Sequence, residues 1–180
     1  MRKNLILFSL LFVAFSMNSC FDNLESHSTP RMLFGNVFVN PVFQNDTLIG
    51  AKDTLSETFD ESLGISYLDT MQLGDTVMFM ALFTSEPNNL VQISTAIDTT
   101  RNRIWFGVDM ENEHTKKALA EGSKPEKGYL LFNPMYNTVT FPIYISPMEV
   151  GSHVVKIAVM SDSKYSTNGA TIVLPVKFID

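Results

Sequence analysis

The sequence predicts an all-β protein: an antiparallel sandwich of about nine strands with one short surface helix. Three observations carry that prediction. After residue 30, apolar residues alternate with a period of two through most of the chain. Clusters of Gly, Asn, Asp and Pro interrupt these runs at short intervals. No helical crossover pattern separates successive runs, so the pairing is expected to be largely antiparallel. Two packed sheets then bury one apolar face of each.

Taken in order, residues 31–39 alternate, with Leu33, Val37 and Val39 assigned to one face and Met32, Phe34 and Phe38 to the other. Gln44-Asn45-Asp46 reads as a turn, residues 50–63 as a long polar loop, and 65–68 as a short strand. Residues 74–84 form the strongest segment, in which Val77, Phe79, Ala81 and Phe83 alternate with Met78, Met80 and Leu82. Val91, Ile93, Thr95 and Ile97 mark the next strand, and Ile104, Phe106 and Val108 the one after. Residues 111–121 are the single helical candidate. Glu113 and Lys117 stand four apart, Gly122 can end the helix, and Pro125 prevents its resumption. The last third is cleanly β, with strands at 129–132, 138–145, 153–159 and 170–178. Pro142 and Pro175 cannot donate to a ladder, so each requires a strand edge or a bulge.

The first twenty residues have a different character. Arg2 and Lys3 precede an apolar run from Leu5 to Phe15, broken only by Ser9. Eleven helical residues rise roughly 16 Å, about half the hydrocarbon core of a bilayer, so the segment reads as an export signal and not as a span. Removing residues 1–19 from the 180 leaves 161, enough for one core. The leader holds two of the 13 basic residues and none of the 19 acidic ones, so the remainder has 11 against 19 and a net charge of −8. Nucleic acid is therefore not an expected partner, since it demands clustered Lys and Arg.

Met17-Asn18-Ser19-Cys20 closes the leader with the only cysteine of the chain. This stretch resembles the lipobox of bacterial lipoproteins, and with its Phe-Asp-Asn continuation it is similar to those of the Bacteroidota. The resemblance implies that Cys20 is the lipid attachment site and first mature residue, and that the protein is held on the outer membrane. Independently, a solitary thiol after an export signal lacks a disulfide partner in a compartment where disulfides are normal. Cleavage after Ser16, leaving Cys20 as a plain thiol, is the alternative. The domain reading is a signal peptide at 1–19, lipidated cysteine and tether at 20–30, and one folded domain at 31–180. Near the C-terminus, Gly151-Ser152-His153-Val154-Val155-Lys156-Ile157 and the final strand resemble the end of bacterial immunoglobulin-like modules, which implies an immunoglobulin-like sandwich. His153 stands where those modules carry a tyrosine.

No HExxH, phosphate-loop, GxSxG or CxxC motif occurs, and the three histidines are scattered, so no enzyme activity, cofactor or metal is expected. Asp98, Asp109, Glu111 and Glu113 could meet around calcium, but solvated loop carboxylates are the simpler reading. Trp105, flanked by Arg101 and Arg103, reads either as a sugar-stacking platform or as packing under a neighbouring element. Tyr165 lies in the polar connection 161–169, a binding loop or an ordinary hairpin. His153 reads as a corner residue bonded to backbone. The expected function is a non-enzymatic, lipid-anchored binding or accessory module for a glycan or a protein. The alternative is a structural subunit of a fimbria-like surface assembly.

Overall fold

The computed structural model describes residues 28–45, 47–55, 58–60, 65–67, 71–96, 102–165 and 168–180. The leader, Cys20, Asp98 and Arg101 lie outside the described residues.

Two sheets pack face to face as a β-sandwich. The first contains β1 (Arg31–Val39), β4 (Asp53–Leu55), β8 (Val77–Thr84), β10 (Asn102–Phe106) and β12 (Thr138–Pro147), in the order β10-β12-β8-β1-β4. The second contains β5 (Thr58–Asp60), β6 (Ile65–Tyr67), β9 (Leu90–Ala96), β11 (Tyr129–Leu131), β13 (Gly151–Ser161) and β14 (Gly169–Ile179), in the order β11-β9-β13-β14-β6-β5. A two-residue strand β7 (Met71–Gln72) also joins β14, and β2 (Val42–Gln44) pairs with β3 (Thr47–Gly50) as a separate hairpin. All pairing is antiparallel except that of β14 with β6 and β7. The residues read as a loop at 50–63 therefore contribute short strands, because β4 extends the first sheet along Val37–Val39 of β1.

The period-two pattern decides what the sheets bury. The first sheet turns Val77, Phe79, Ala81 and Phe83 inward beside Ile104, Phe106, Phe141, Ile143 and Ile145. The second answers with Ile93, Leu130, Val155, Ile157, Val159, Leu174, Val176 and Phe178. Phe141 stacks on Phe83 with centroids 5.2 Å apart, and Phe106 meets it at 5.0 Å. Each large side chain buried this fully stabilises the fold by about 1.5–3 kcal/mol.

Two face assignments differ from the simple alternation, and both trace to bulges. In β1 the register shifts between Phe34 and Val37, so Met32, Val37 and Val39 all reach the core while Leu33 and Phe38 face outward. In β9 a shift opposite Met160–Ser161 leaves Val91 39% exposed between buried Leu90 and Ile93. The extra residue re-phases everything beyond it.

The helix α1 spans only Glu113–Ala118, shorter than the pattern over 111–121. Asn112 caps it by accepting from the backbone N–H of His114 and Thr115, which replaces bonds the first turn cannot make. Leu119 is already extended and buried, and bridges to Phe132. Its burial is worth more to the chain than another helical turn. The ion pair that forms is Lys116–Glu111 at 3.1 Å, in place of the expected Glu113–Lys117 pair. At the other end, Pro30 is buried and Ser28 donates to the carbonyl of Glu86, so the fold takes in the last three residues of the expected tether.

Pro142 illustrates the edge rule inside a strand. The N–H of Gly107 donates to the carbonyl of Pro142 at 2.7 Å, and Pro142 has no N–H to return. The β10 ladder accordingly ends at Phe106. Gly107 is required at this point, because a Cβ there would lie 2.6 Å from both Pro142 Cγ and Tyr144 Cε2. Pro175 falls between the two short parallel pairings, at Val173 and Phe178.

Candidate functional site

Trp105 is on the outer face of the first sheet, because it alternates with inward Ile104 and Phe106. Directly opposite on β12 stands Tyr144, and the two rings stack at 5.1 Å and within 6° of parallel. Arg103, two residues back on the same face, places its guanidinium carbon 5.1 Å from the Trp105 ring centroid. The quadrupole of the indole attracts that cation. Arg103 is exposed, while Trp105 and Tyr144 are half-buried. Burial pushes the Tyr144 phenol above its ordinary pKa of 10.0, so it keeps its proton at neutral pH. Trp105 thus lies on the face of the first sheet opposite to core-facing Ile104 and Phe106.

The row continues inward from the edge. Met78 lies opposite Tyr144, and Phe38 lies opposite Met78, which sets one aromatic or thioether side chain on each of four adjacent strands. At 4.7–4.9 Å per strand the row is about 14 Å long. Met78 is nevertheless 3% exposed, so the Arg103–Trp105–Tyr144 tier is separated from half-buried Phe38 by a covered side chain.

Tyr165 belongs to a different end of the molecule. Its connection is held by Asp162, whose carboxylate accepts from the backbone and side-chain N–H groups of Asn89, beyond the Thr84 end of β8. Trp105 and Tyr144 are level with Met78, six residues back along β8, which is about 20 Å. Tyr165 is 40% exposed, and its backbone N–H donates to Ser163 Oγ at 3.4 Å. The structure does not join Trp105 and Tyr165 in one site.

The acidic residues near β10 serve local geometry. Asp109 accepts from the backbone N–H of Glu111, and Glu111 pairs with Lys116. Among the described residues, no group of three or more His, Cys, Asp or Glu side chains could hold a metal. His153 lies 3.3 Å through Nε2 from the carbonyl of Glu149, which can only accept, and its ring packs on Phe178. Among the described residues no helix is long and apolar enough to cross a membrane.

Two polar features escaped the sequence reading. Asp75, 7% exposed, is the hub of a knot at the β1 and β8 corner. Asn40 Nδ2 donates to its Oδ1 at 2.7 Å, Lys52 Nζ donates at 3.0 Å, and the backbone N–H of Gln72 donates to Oδ2. Burial alone would raise the Asp75 pKa. The bonds from Lys52, Asn40 and Gln72, with the Lys52 charge, more than offset this and hold it below 3.8. The other feature is Asn102, which is 2% exposed, with both side-chain polar atoms unpartnered among the described residues. Its signal was visible in principle, since Asn102 is in phase with inward Ile104 and Phe106.

Two cavities open along the side of the sandwich, where edge strands β10 and β11 face each other. One, about 190 Å³, lies beneath α1 and is lined by Val108, Thr115, Leu119, Phe132 and Phe141. The other, about 400 Å³, is lined by Asn102, Arg103, Ile104, Glu126, Lys127 and Met148. Glu126 and Lys127 come from a 3-10 turn, Pro125–Lys127, seated against β10. Gly128 ends that turn at φ 64°, a left-handed conformation that suits glycine.

No protein-family model matches the chain, and no curated protein matches it. Solved structures with distant likeness include domains 4 and 5 of the S-layer protein SbsC, at 10% identity over 72% of this chain, with a TM-score of 0.37. The chain spans 60% of that fragment's length. The PapD-like domain 7 of human CEP192 aligns at 10% identity over 65% of this chain and 82% of that one, with a TM-score of 0.33. AggA, the major subunit of aggregative adherence fimbriae type I from Escherichia coli, aligns at 11% identity over 85% and 99%, with a TM-score of 0.28. No functional conclusion follows from likenesses this remote.

Proposed function

We propose that the chain is a non-enzymatic binding module of the cell envelope, attached to the outer membrane through acylated Cys20, that captures a saccharide. The observation that carries this reading is the Arg103–Trp105–Tyr144 tier at the edge of the first sheet. Two rings stacked face to face on a rigid pair of strands leave their outer face and edges for the C–H groups of a sugar. The adjacent guanidinium supplies donors for its hydroxyls. Because the strands are held by the core, the surface is preorganised and little ordering accompanies binding.

A glycan array followed by calorimetric titration tests the proposal. Wild-type protein is expected to retain a defined set of glycans, and Trp105→Ala to weaken them at least tenfold, about 1.4 kcal/mol. A wild-type protein that binds no glycan sinks it. The anchor has a separate readout. A palmitate analogue should label the wild type in cells and leave Cys20→Ala unlabelled.

The fimbria-like reading is less well supported by the strand edges. Strand donation needs a long open edge. Among the described residues, the end strands of the two large sheets are β10 with five residues and β4, β5 and β11 with three each, and short edges discourage pairing with another chain.

A further inference from the structure

We infer that the smaller cavity, beneath α1, is a binding site for a small amphiphilic amine, a single aromatic ring carrying an ammonium group; the inference is independent of the saccharide reading above. The cavity opens where strand pairing does not close the sandwich, between β10 and β11, with α1 over it. The helix lines it only with Thr115 and Ala118, three residues apart and so on one face. A hydroxyl and a methyl leave the space unfilled, and no residue of the helix is buried. The roof is nonetheless fixed. Asn133 donates through Nδ2 to the carbonyls of Lys117 and Leu119, each at 3.0 Å, and its backbone N–H donates to that of Ala118 at 2.8 Å. A ligand entering under a fixed roof has little chain to order.

The lining sets the chemistry of that ligand. Val108 and Val139 are half-buried against the core and Phe132 is 8% exposed, so apolar groups border the open space. Water held against them would lack partners. About 190 Å³ exceeds the roughly 150 Å³ of an apolar cavity that admits benzene, so one six-membered ring is the matching size. The rim is polar, with exposed Asp109 and Thr140 and half-buried Thr115. Asp109 Oδ1 accepts from the backbone N–H of Glu111 at 2.9 Å. Its Oδ2 and the hydroxyls of Thr115 and Thr140 have no hydrogen-bond partner among the described residues. No basic residue lines the cavity among the described residues, so its rim favours a cationic donor and repels an anion.

The test is calorimetric titration of the full chain in nanodiscs with benzylamine, benzyl alcohol, benzoate and methylamine. Benzylamine is expected to bind, benzoate about tenfold or more weakly, and methylamine not at all. Ala118→Phe puts a ring of the protein's own into the space and should abolish benzylamine binding. Asp109→Asn keeps the shape without the charge, and should weaken benzylamine about tenfold while leaving benzyl alcohol unchanged. A wild type that does not bind benzylamine, equal binding of benzoate, binding of methylamine, or unchanged benzylamine binding in either variant overturns the inference. A second measurement covers an Ala118→Phe protein that fails to fold. In the wild type, nuclear Overhauser effects should join the benzylamine ring protons to the methyls of Ala118 and Val139, and bound benzylamine without them overturns the site. Trp105→Ala should leave benzylamine binding unchanged, so the cavity and the tier fail separately. Loss of that binding in Trp105→Ala would put the amine on the tier and overturn the inference.

Discussion

Two asparagines in the first sheet's neighbourhood show how differently one side chain can be used. Asn40 follows β1 at φ 47°, a left-handed conformation that asparagine tolerates. Its amide donates to Asp75, and its oxygen accepts the backbone N–H of Thr76 at 2.7 Å. Every polar group around it is answered. Asn102, at the start of β10, is more deeply buried and finds no hydrogen-bond partner among the described residues. A satisfied polar cluster holds a fold together. An unsatisfied one destabilises it, and its presence calls for an explanation outside stability.

Substitutions should separate the two in sign as well as size. Asp75→Ala removes the hub and strands donors of Asn40 and Gln72, so urea unfolding should register a loss of about 2–4 kcal/mol. A loss below about 1 kcal/mol would mean the knot is incidental. Asn40→Gly keeps the left-handed backbone available but deletes both side-chain bonds, and about 1–2 kcal/mol is expected by the same measurement. Lys52 is half exposed, so removing its charge should matter less than either.

Acid sharpens the contrast. The folded pKa of Asp75 is depressed, so its contribution is complete above the ordinary carboxylate value and disappears as pH falls through the folded one. The stability gap between wild type and Asp75→Asn should therefore be widest above about pH 5 and close progressively in stronger acid. A gap that stays constant with pH would show that the carboxylate charge is not what the knot uses. Asn102→Leu carries the smallest and opposite effect, a gain of up to about 1 kcal/mol. A loss of similar size would place Asn102 with Asn40 as a structural residue.

Much of the fold could be read from residue order alone. The strands at 77–84, 138–147 and 151–161 follow from alternation, and their inward residues are the ones that alternation selects. Phe34 and Val91 were harder, because a bulge is a change of register between two strands and leaves little trace in either one. The helix ended early at Leu119, where a tertiary bridge to Phe132 overrode local preference. For the site, the sequence pointed to Trp105 and its face, since Arg103 and Trp105 alternate with apolar neighbours. It could not supply Tyr144, which comes from 39 residues further along the chain.

The sequence by itself determined a two-faced strand protein with an apolar N-terminal stretch and one cysteine, because period, length and composition act locally along the chain. Only the tertiary structure decided which strands became neighbours, and so which side chains meet. Stacking of Trp105 on Tyr144, the closure around Asp75 and the orphaned amide of Asn102 are all products of register between distant segments. Hydrogen bonds and ring stacking act over a few ångströms, and that proximity exists only once the two sheets have closed.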